Sequence, residues 1–268
     1  MSMPGTATNA ALGAPPVAPP VATPGAALAG GHPVTDVRQG GELVEHFAEV
    51  GVTAFTTGRA AGSFGMQTDE PVREVTARWG ALRGLLGGPA ARLATSFQVH
   101  GNTIIRHRGD WQGFLRGPEA DGHLSAERGT AMAVTVADCV PVFLAHPSGA
   151  AAALHSGWRG TAARITEVAI RHFAALGLVA SELRLHCGPA ICGRCYEVSA
   201  DVVAQLTGRS TERPATVDLR AIIADHARAL GVREISVSPL CTRCDNGRFF
   251  SHRAGDEGRQ LGVVFAAD

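Results

Sequence analysis

The chain has 268 residues, 45% hydrophobic and 18% charged, with 24 basic residues balanced by 24 acidic ones. That length buries a sizeable core in one large domain or two small ones, and zero net charge removes the electrostatic case for a nucleic-acid or membrane-surface partner. All 24 basic residues are arginine, so chemistry that needs an amine, such as a phosphate-loop lysine or a Schiff base, is excluded.

The first 33 residues are mostly Ala, Pro, Gly and Thr. They lack the basic start and unbroken apolar run of an export signal, and Pro15, Pro16, Pro19 and Pro20 interrupt the one candidate stretch. Residues 1–35 are expected to form a disordered Ala/Pro-rich tail, and residues 36–268 a single folded domain. No run of 18 apolar residues appears, so no membrane-spanning helix is expected. The default location is then cytoplasmic, where six cysteines point to metal binding or catalysis before disulfides.

Beyond the tail, Val52–Thr57 reads as a strand running into the Gly-rich segment Gly58-Arg59-Ala60-Ala61-Gly62-Ser63. Pro71 opens a helix over 71–86, with Val72, Val75, Trp79, Leu82 and Leu86 at helical spacing. Strands follow at 93–99, Ala131–Ala137, Val142–Ala145 and Ala150–Leu154, the last running into His155. A helix is predicted from Thr161 to Leu176, then a strand at 183–187 and helices at 198–206 and 218–230. A strand at 233–238 and the segment ending Leu261-Gly262-Val263-Val264-Phe265 close the chain. Strands alternating with helices indicate a layered α/β (mixed α+β) fold, a sandwich of mixed β-sheet with flanking helices. The pattern leaves parallel and mixed pairing open.

His100, Cys139 and His155 each lie at or just past a strand-like run. Two imidazoles and a thiolate suit zinc, and three protein ligands leave a fourth tetrahedral position free for water or substrate. Cys139 alone also fits a small buried hydrophobe. Asp138 beside it is placed to hydrogen-bond a ligand histidine and set its tautomer. In His155-Ser156-Gly157-Trp158-Arg159-Gly160, the free amides of a helix start and the Arg159 guanidinium form a candidate anion site. The same segment also reads as a tight turn with Trp158 in the core and Arg159 in solvent.

Cys192-Gly193-Arg194-Cys195 and Cys241-Thr242-Arg243-Cys244 are two C-x-x-C pairs. Their spacing suits a four-cysteine structural zinc site, although the gap of about 45 residues is longer than in most zinc ribbons. Redox-sensitive or buried thiols are the other reading. Cys187 is expected in the core.

Several segments occur in one order. They are Gln98-Val99-His100-Gly101, Ala137-Asp138-Cys139-Val140-Pro141, the 155–160 segment, Gly188-Pro189-Ala190-Ile191 with Cys195-Tyr196-Glu197-Val198, Asp218-Leu219, Cys241-Thr242, and Phe249-Phe250-Ser251-His252-Arg253 with Gly258-Arg259. Over roughly residues 50–265 the chain resembles the YfiH or laccase-domain family, long labelled polyphenol oxidases and now regarded as purine nucleoside phosphorylases. The resemblance implies a zinc-dependent catalytic domain that cleaves adenosine, inosine and methylthioadenosine with phosphate and also deaminates adenosine. It makes His100, Cys139 and His155 the catalytic zinc ligands. Arg59, Gln98, Arg159 and Arg253 are then the candidates for binding substrate or phosphate. A water activated by the metal would suit attack on the purine C6. The family's N-terminal arginine-and-glycine segment is reduced here to 58–63, and Met66-Gln67-Thr68-Asp69 is a shorter substitute for the family's usual Asn-Leu-Gly stretch. His252 stands where tyrosine is usual and Ser156 where alanine is usual, which bears on substrate preference more than on the metal.

Rival readings are a cysteine hydrolase or peptidoglycan-editing amidase with Cys139 as nucleophile and a histidine base, and a non-enzymatic binding module. A multicopper laccase needs several His-x-His pairs, and the sequence has none. Copper at the His-Cys-His set could still give weak polyphenol oxidation in vitro. Oligomeric state is left open.

Overall fold

Side chains alternate between the two faces of a strand, and the central strands here bury both faces. The computed structural model describes Met1, residues 40–86 and residues 92–268; the tail expected over 1–35 lies, Met1 apart, outside the described residues. In chain order, β1 (Glu42–Leu43), β2 (Val52–Thr56) and α1 (Val72–Leu86) come first. Next are β3 (Arg92–Phe97), β4 (Ile104–His107), β5 (Gly113–Glu119), β6 (Gly122–Ser125), β7 (Thr130–Val136), β8 (Val140–Ala145) and β9 (Ala151–Ser156). Then come α2 (Trp158–Ala162), α3 (Ile165–Ala175), β10 (Arg184–Cys187), β11 (Glu197–Val198), α4 (Ala200–Thr207) and β12 (Ala215–Thr216). The last elements are α5 (Leu219–Ala229), β13 (Glu234–Val237) and β14 (Gln260–Ala266).

Two six-stranded sheets form, in the orders β1-β2-β14-β7-β3-β5 and β13-β10-β8-β9-β6-β4. Both are mixed. In the first, β3 runs parallel to β5 and β7 while the other pairs are antiparallel. In the second, β10/β13 and β4/β6 are parallel. Met132, Val134 and Val136 of β7 and Val264 of β14 meet Phe143 of β8 and Ala153 of β9 between the sheets. Their strand neighbours Ala131, Ala133, Leu261 and Val263 face outward onto Trp79 and Leu82 of α1. On the other side Ala152 and Leu154 of β9 face Ile165, Phe173 and Ile223 of α3 and α5. The layers are helix, sheet, sheet, helices, as the sequence predicts. Each large side chain taken fully out of water here, such as Phe143 at 0% exposure, contributes about 1.5–3 kcal/mol.

Local chemistry explains most element ends. Pro71 precedes α1, whose face of Val75, Trp79, Leu82 and Leu86 is buried, but Val72, on the same stripe, is 73% exposed at the first residue of the helix. The Asp218 carboxylate caps α5 by accepting from the backbone N–H of Arg220 and Ala221. The helix expected over 161–176 is two helices, and the break is Arg164, held at φ 58°. A bulky residue in the left-handed region does not continue a right-handed helix. The sequence reading also omits β4, β5 and β6 and the two-residue strands β1, β11 and β12.

Three connections set up the site. The β8–β9 hairpin places Pro141 opposite His155, so Cys139, just before β8, lands beside His155 near the end of β9. The chain leaves β3 in one sheet and enters β4 in the other, and that crossing carries His100. Asp121 immediately precedes β6, whose Gly122 pairs with Leu154.

Candidate metal centre

His100, Cys139 and His155 converge, with their donor atoms all within 4.8 Å of one another. His155 is buried, Cys139 half-buried and His100 exposed, so the cluster opens to solvent on one side. The His100 and His155 rings lie edge to face, centroids 4.7 Å apart.

One buried carboxylate organises the cluster. Asp121, 0% exposed, accepts the His155 Nδ1–H at 2.7 Å. It also accepts the backbone N–H of Val99 at 3.2 Å, His100 at 2.9 Å and Gly101 at 2.7 Å. Fixing the proton on Nδ1 turns His155 Nε2 to the cluster, where its lone pair can ligate a metal or, protonated, it can donate to the Cys139 sulfur. His100 stands at φ 62°, a conformation that costs about 1–3 kcal/mol and persists only where surroundings over-determine it. The three N–H bonds to Asp121 do that. Burial raises the Asp121 carboxyl, but the His155 hydrogen bond and charge, with the backbone donors of Gly101 and Val99, hold it below its ordinary value.

The role expected of Asp138 therefore falls to Asp121. Asp138, also at positive φ (79°), points the other way. Its Oδ1 accepts the Thr242 hydroxyl at 2.6 Å and its Oδ2 the Arg253 backbone N–H at 2.7 Å. Its backbone carbonyl accepts the N–H of Ile191 at 3.1 Å. Asp138 thus ties the Cys139 strand to the loops behind the site and leaves histidine orientation to another residue. Sequence reasoning passed over Asp121 because an acid before glycine, between short strands, reads as a turn.

The donor set fits a metal. A tetrahedral zinc with bonds of about 2.0–2.3 Å spaces its donors roughly 3.3–3.8 Å apart, within the span already present. Gly157 leaves the room: a Cβ there would sit 2.9 Å from Cys139 Sγ and 3.2 Å from His100 Cδ2. Gly160 serves close approach too, since its Cβ would lie 3.0 Å from the Gly101 carbonyl oxygen. Gly157→Ala keeps an accessible backbone, φ −78°, and is expected to fold while weakening the hold on any metal at the cluster. Zinc content and Tm measured on the same sample check this.

Without metal the cluster is a thiolate–imidazolium pair. Burial raises the Cys139 thiol, but the His155 charge and hydrogen bonds from His100 and His155 outweigh it and bring the thiol to about 6. Burial lowers His155, and the Cys139 charge with the Asp121 hydrogen bond overcomes this, raising it to about 9. Metal-free protein is therefore expected to react with an alkylating reagent at neutral pH, losing reactivity as pH falls through about 6. Zinc loading should protect Cys139 at every pH, because the thiolate is then a ligand.

The other expected site residues are held by partners outside the cluster. Arg159 is exposed, its guanidinium over the Trp158 ring at 4.3 Å, directly after Gly157. Arg253 donates both Nη groups to the Glu197 carbonyl at 3.1 Å and stacks over Tyr196 at 5.2 Å. Burial first, and the Cys139 charge second, push Tyr196 up to about 12, so its phenol stays neutral beside the cluster. Gln98 spends its side-chain amide on Thr135, donating to its carbonyl at 2.8 Å and accepting its N–H at 2.7 Å. Arg59 acts as a clamp on the 246–256 loop. It donates to Asn246 O, Phe249 O and Asp256 Oδ2 at 2.7–3.0 Å and lies over Phe250 at 4.5 Å. Cys187 is fully buried, its thiol pushed by burial up to about 12. The two C-x-x-C pairs meet, with all four sulfurs within 4.8 Å.

Residues 51–267 match the family model described as multi-copper polyphenol oxidoreductase laccase. A purine nucleoside phosphorylase of Streptomyces coelicolor is 39% identical over 191 residues, 67% of this chain and 77% of that protein. One from Deinococcus radiodurans is 34% identical over 234 residues, covering 79% and 87%. Among solved structures, YlmD from Geobacillus stearothermophilus superposes with a TM-score of 0.74 at 27% identity, covering 81% of this chain and 93% of that one. The hypothetical protein YfiH of Bacillus licheniformis has a TM-score of 0.76 at 22% identity, covering 84% and 96%, which speaks to the fold alone. The chain belongs to the multi-copper polyphenol oxidoreductase laccase family, among relatives named purine nucleoside phosphorylase.

Proposed function

We propose that the chain is a zinc-dependent purine nucleoside phosphorylase acting on adenosine, inosine and methylthioadenosine, with adenosine deamination at the same centre. The observation that carries this is the open-sided His100–Cys139–His155 cluster, its fixed histidine backed by Asp121 and exposed Arg159 alongside. A zinc ion held by these three side chains would supply Lewis acidity at the one position the protein leaves open.

In phosphorolysis the bond from purine N9 to ribose C1′ breaks, a phosphate oxygen bonds C1′, and the purine leaves with a proton. The anion needs a cationic seat at the mouth of the site, and Arg159 offers an exposed guanidinium beside the helix start there. Arg253, stacked over Tyr196, and the Tyr196 phenol, which feels the Cys139 charge, are the further groups assigned to substrate. Arg159→Ala is expected to raise the KM for phosphate about 10-fold or more, the value of a charge-assisted hydrogen bond, with less change in the KM for nucleoside. Initial rates over a phosphate series check it. Gln98 and Arg59 are assigned positioning roles, since both hold loops around the cluster.

The oxidase label of the family model is not adopted. Among the described residues only two groups of three or more ligating side chains gather closely, and the only histidines in them are His100 and His155, too few for a multicopper cluster. Copper at the His-Cys-His set remains compatible with weak oxidation in vitro.

The metal-free thiolate–imidazolium pair favours one second reading, a cysteine hydrolase or amidase. Purine release measured by chromatography after chelation, and again after zinc is restored, separates the two. The phosphorylase reading expects loss and recovery. A hydrolase expects activity that survives chelation and dies on alkylation. No described helix is long and apolar enough to cross a membrane, and a cytoplasmic location is part of the proposal.

A further inference from the structure

Cys192–Cys195 and Cys241–Cys244 are far apart in sequence, yet topology brings them together. Strands β10 and β13 are parallel neighbours, Cys187 opposite Val237, so the loops that follow them leave the sheet at the same end. A bridge between Ala190 and Cys241, with the Thr242 N–H donated to the Ala190 carbonyl at 3.2 Å, zips those loops together.

Each pair sits in a tight turn. The Cys195 N–H donates to the Cys192 carbonyl at 2.9 Å, and the Asp245 N–H to the Cys241 carbonyl at 2.8 Å. Cys241 Sγ accepts backbone N–H bonds from Cys192 at 3.3 Å and Cys244 at 3.4 Å, so the two loops share one sulfur's hydrogen bonds. Cys195 and Cys244 Sγ lie 3.5 Å apart, too far for a disulfide bond of about 2.05 Å and close to the roughly 3.8 Å edge of a zinc tetrathiolate.

We infer that Cys192, Cys195, Cys241 and Cys244 hold a second, structural zinc ion, separate from the His100–Cys139–His155 centre. Four Zn–S bonds form as four thiol protons leave, giving a closed site of charge −2 with no position for substrate. Arg194 and Arg243, one in each loop, offset that charge; Arg243 also donates to the Cys195 carbonyl at 3.2 Å. The ion would pin the back wall of the first centre, because Thr242 holds Asp138 and Tyr196 follows Cys195.

The test is metal analysis and native mass spectrometry of the full chain as wild type, Cys139→Ala and Cys244→Ser. Two zinc ions per chain are expected in the wild type and one in each variant. Cobalt-substituted Cys139→Ala should show the visible spectrum of a tetrathiolate, and Cys244→Ser that of the mixed imidazole–thiolate centre. If Cys244→Ser does not fold, the Cys139→Ala count still decides. One zinc in both wild type and Cys139→Ala supports this site and sinks the triad centre instead. Cys139→Ala without bound metal, iron in place of zinc, or the four sulfurs recovered as disulfides in freshly isolated protein would each overturn the inference.

Discussion

Cys139→Ala is expected to lose the zinc of the His100–Cys139–His155 centre and at least about 10³-fold in kcat/KM for any nucleoside, the several kcal/mol of charge stabilisation a metal contributes. The reason is arithmetic: three ligands become two. Stability should change little, by about 1 kcal/mol, because Cys139 is half-buried and the β8–β9 pairing beside it uses backbone groups. A Tm within a few degrees of that of metal-free wild type, with lost zinc and lost turnover, is the expected combination. A variant that keeps its zinc while losing activity would point to the sulfur as nucleophile instead of ligand.

Asp121→Ala is expected to destabilise the fold by about 3–5 kcal/mol, the usual cost of removing a buried charged partner. It strands the backbone N–H groups of residues 99, 100 and 101 and the His155 Nδ1–H together. The milder Asp121→Asn should fold and lose about 10–100-fold in zinc affinity, the usual effect of removing the carboxylate behind a ligand histidine. The acid dependence has a definite sign. The folded carboxyl titrates below its ordinary value, and unfolded aspartate titrates near about 3.9. Its contribution is therefore full above about pH 4 and is lost as pH falls through the folded value. Denaturant titrations should show the wild-type advantage over Asp121→Asn shrinking only below that point.

The elements legible in the sequence are those with one strong signal. The apolar runs of β7, β8 and β9 announce buried strands, and Val75, Trp79 and Leu82 announce α1. Strand β5 was hidden because its Gly-Phe-Leu-Arg-Gly-Pro-Glu run is largely exposed, with glycine and proline where strands usually avoid them. The Arg164 break was hidden because no rule bars arginine from a helix; its φ of 58° belongs to tertiary packing. At the site, ligand types and order pointed to His100, Cys139 and His155. The role expected of Asp138 falls to Asp121 because adjacency in sequence favours Asp138, while the β6–β9 register, Gly122 opposite Leu154, delivers Asp121 to His155. The four cysteines were legible as two pairs, and only the parallel pairing of β10 with β13 joins them.

The most direct measurement tracks both products in one reaction: purine by chromatography and sugar phosphate by phosphorus NMR, on zinc-loaded, chelated and zinc-restored protein. Ribose 1-phosphate formed mole for mole with purine, lost on chelation and regained with zinc, is the expected result. Purine released equally fast without phosphate, or no purine from any nucleoside by zinc-loaded protein, would contradict it.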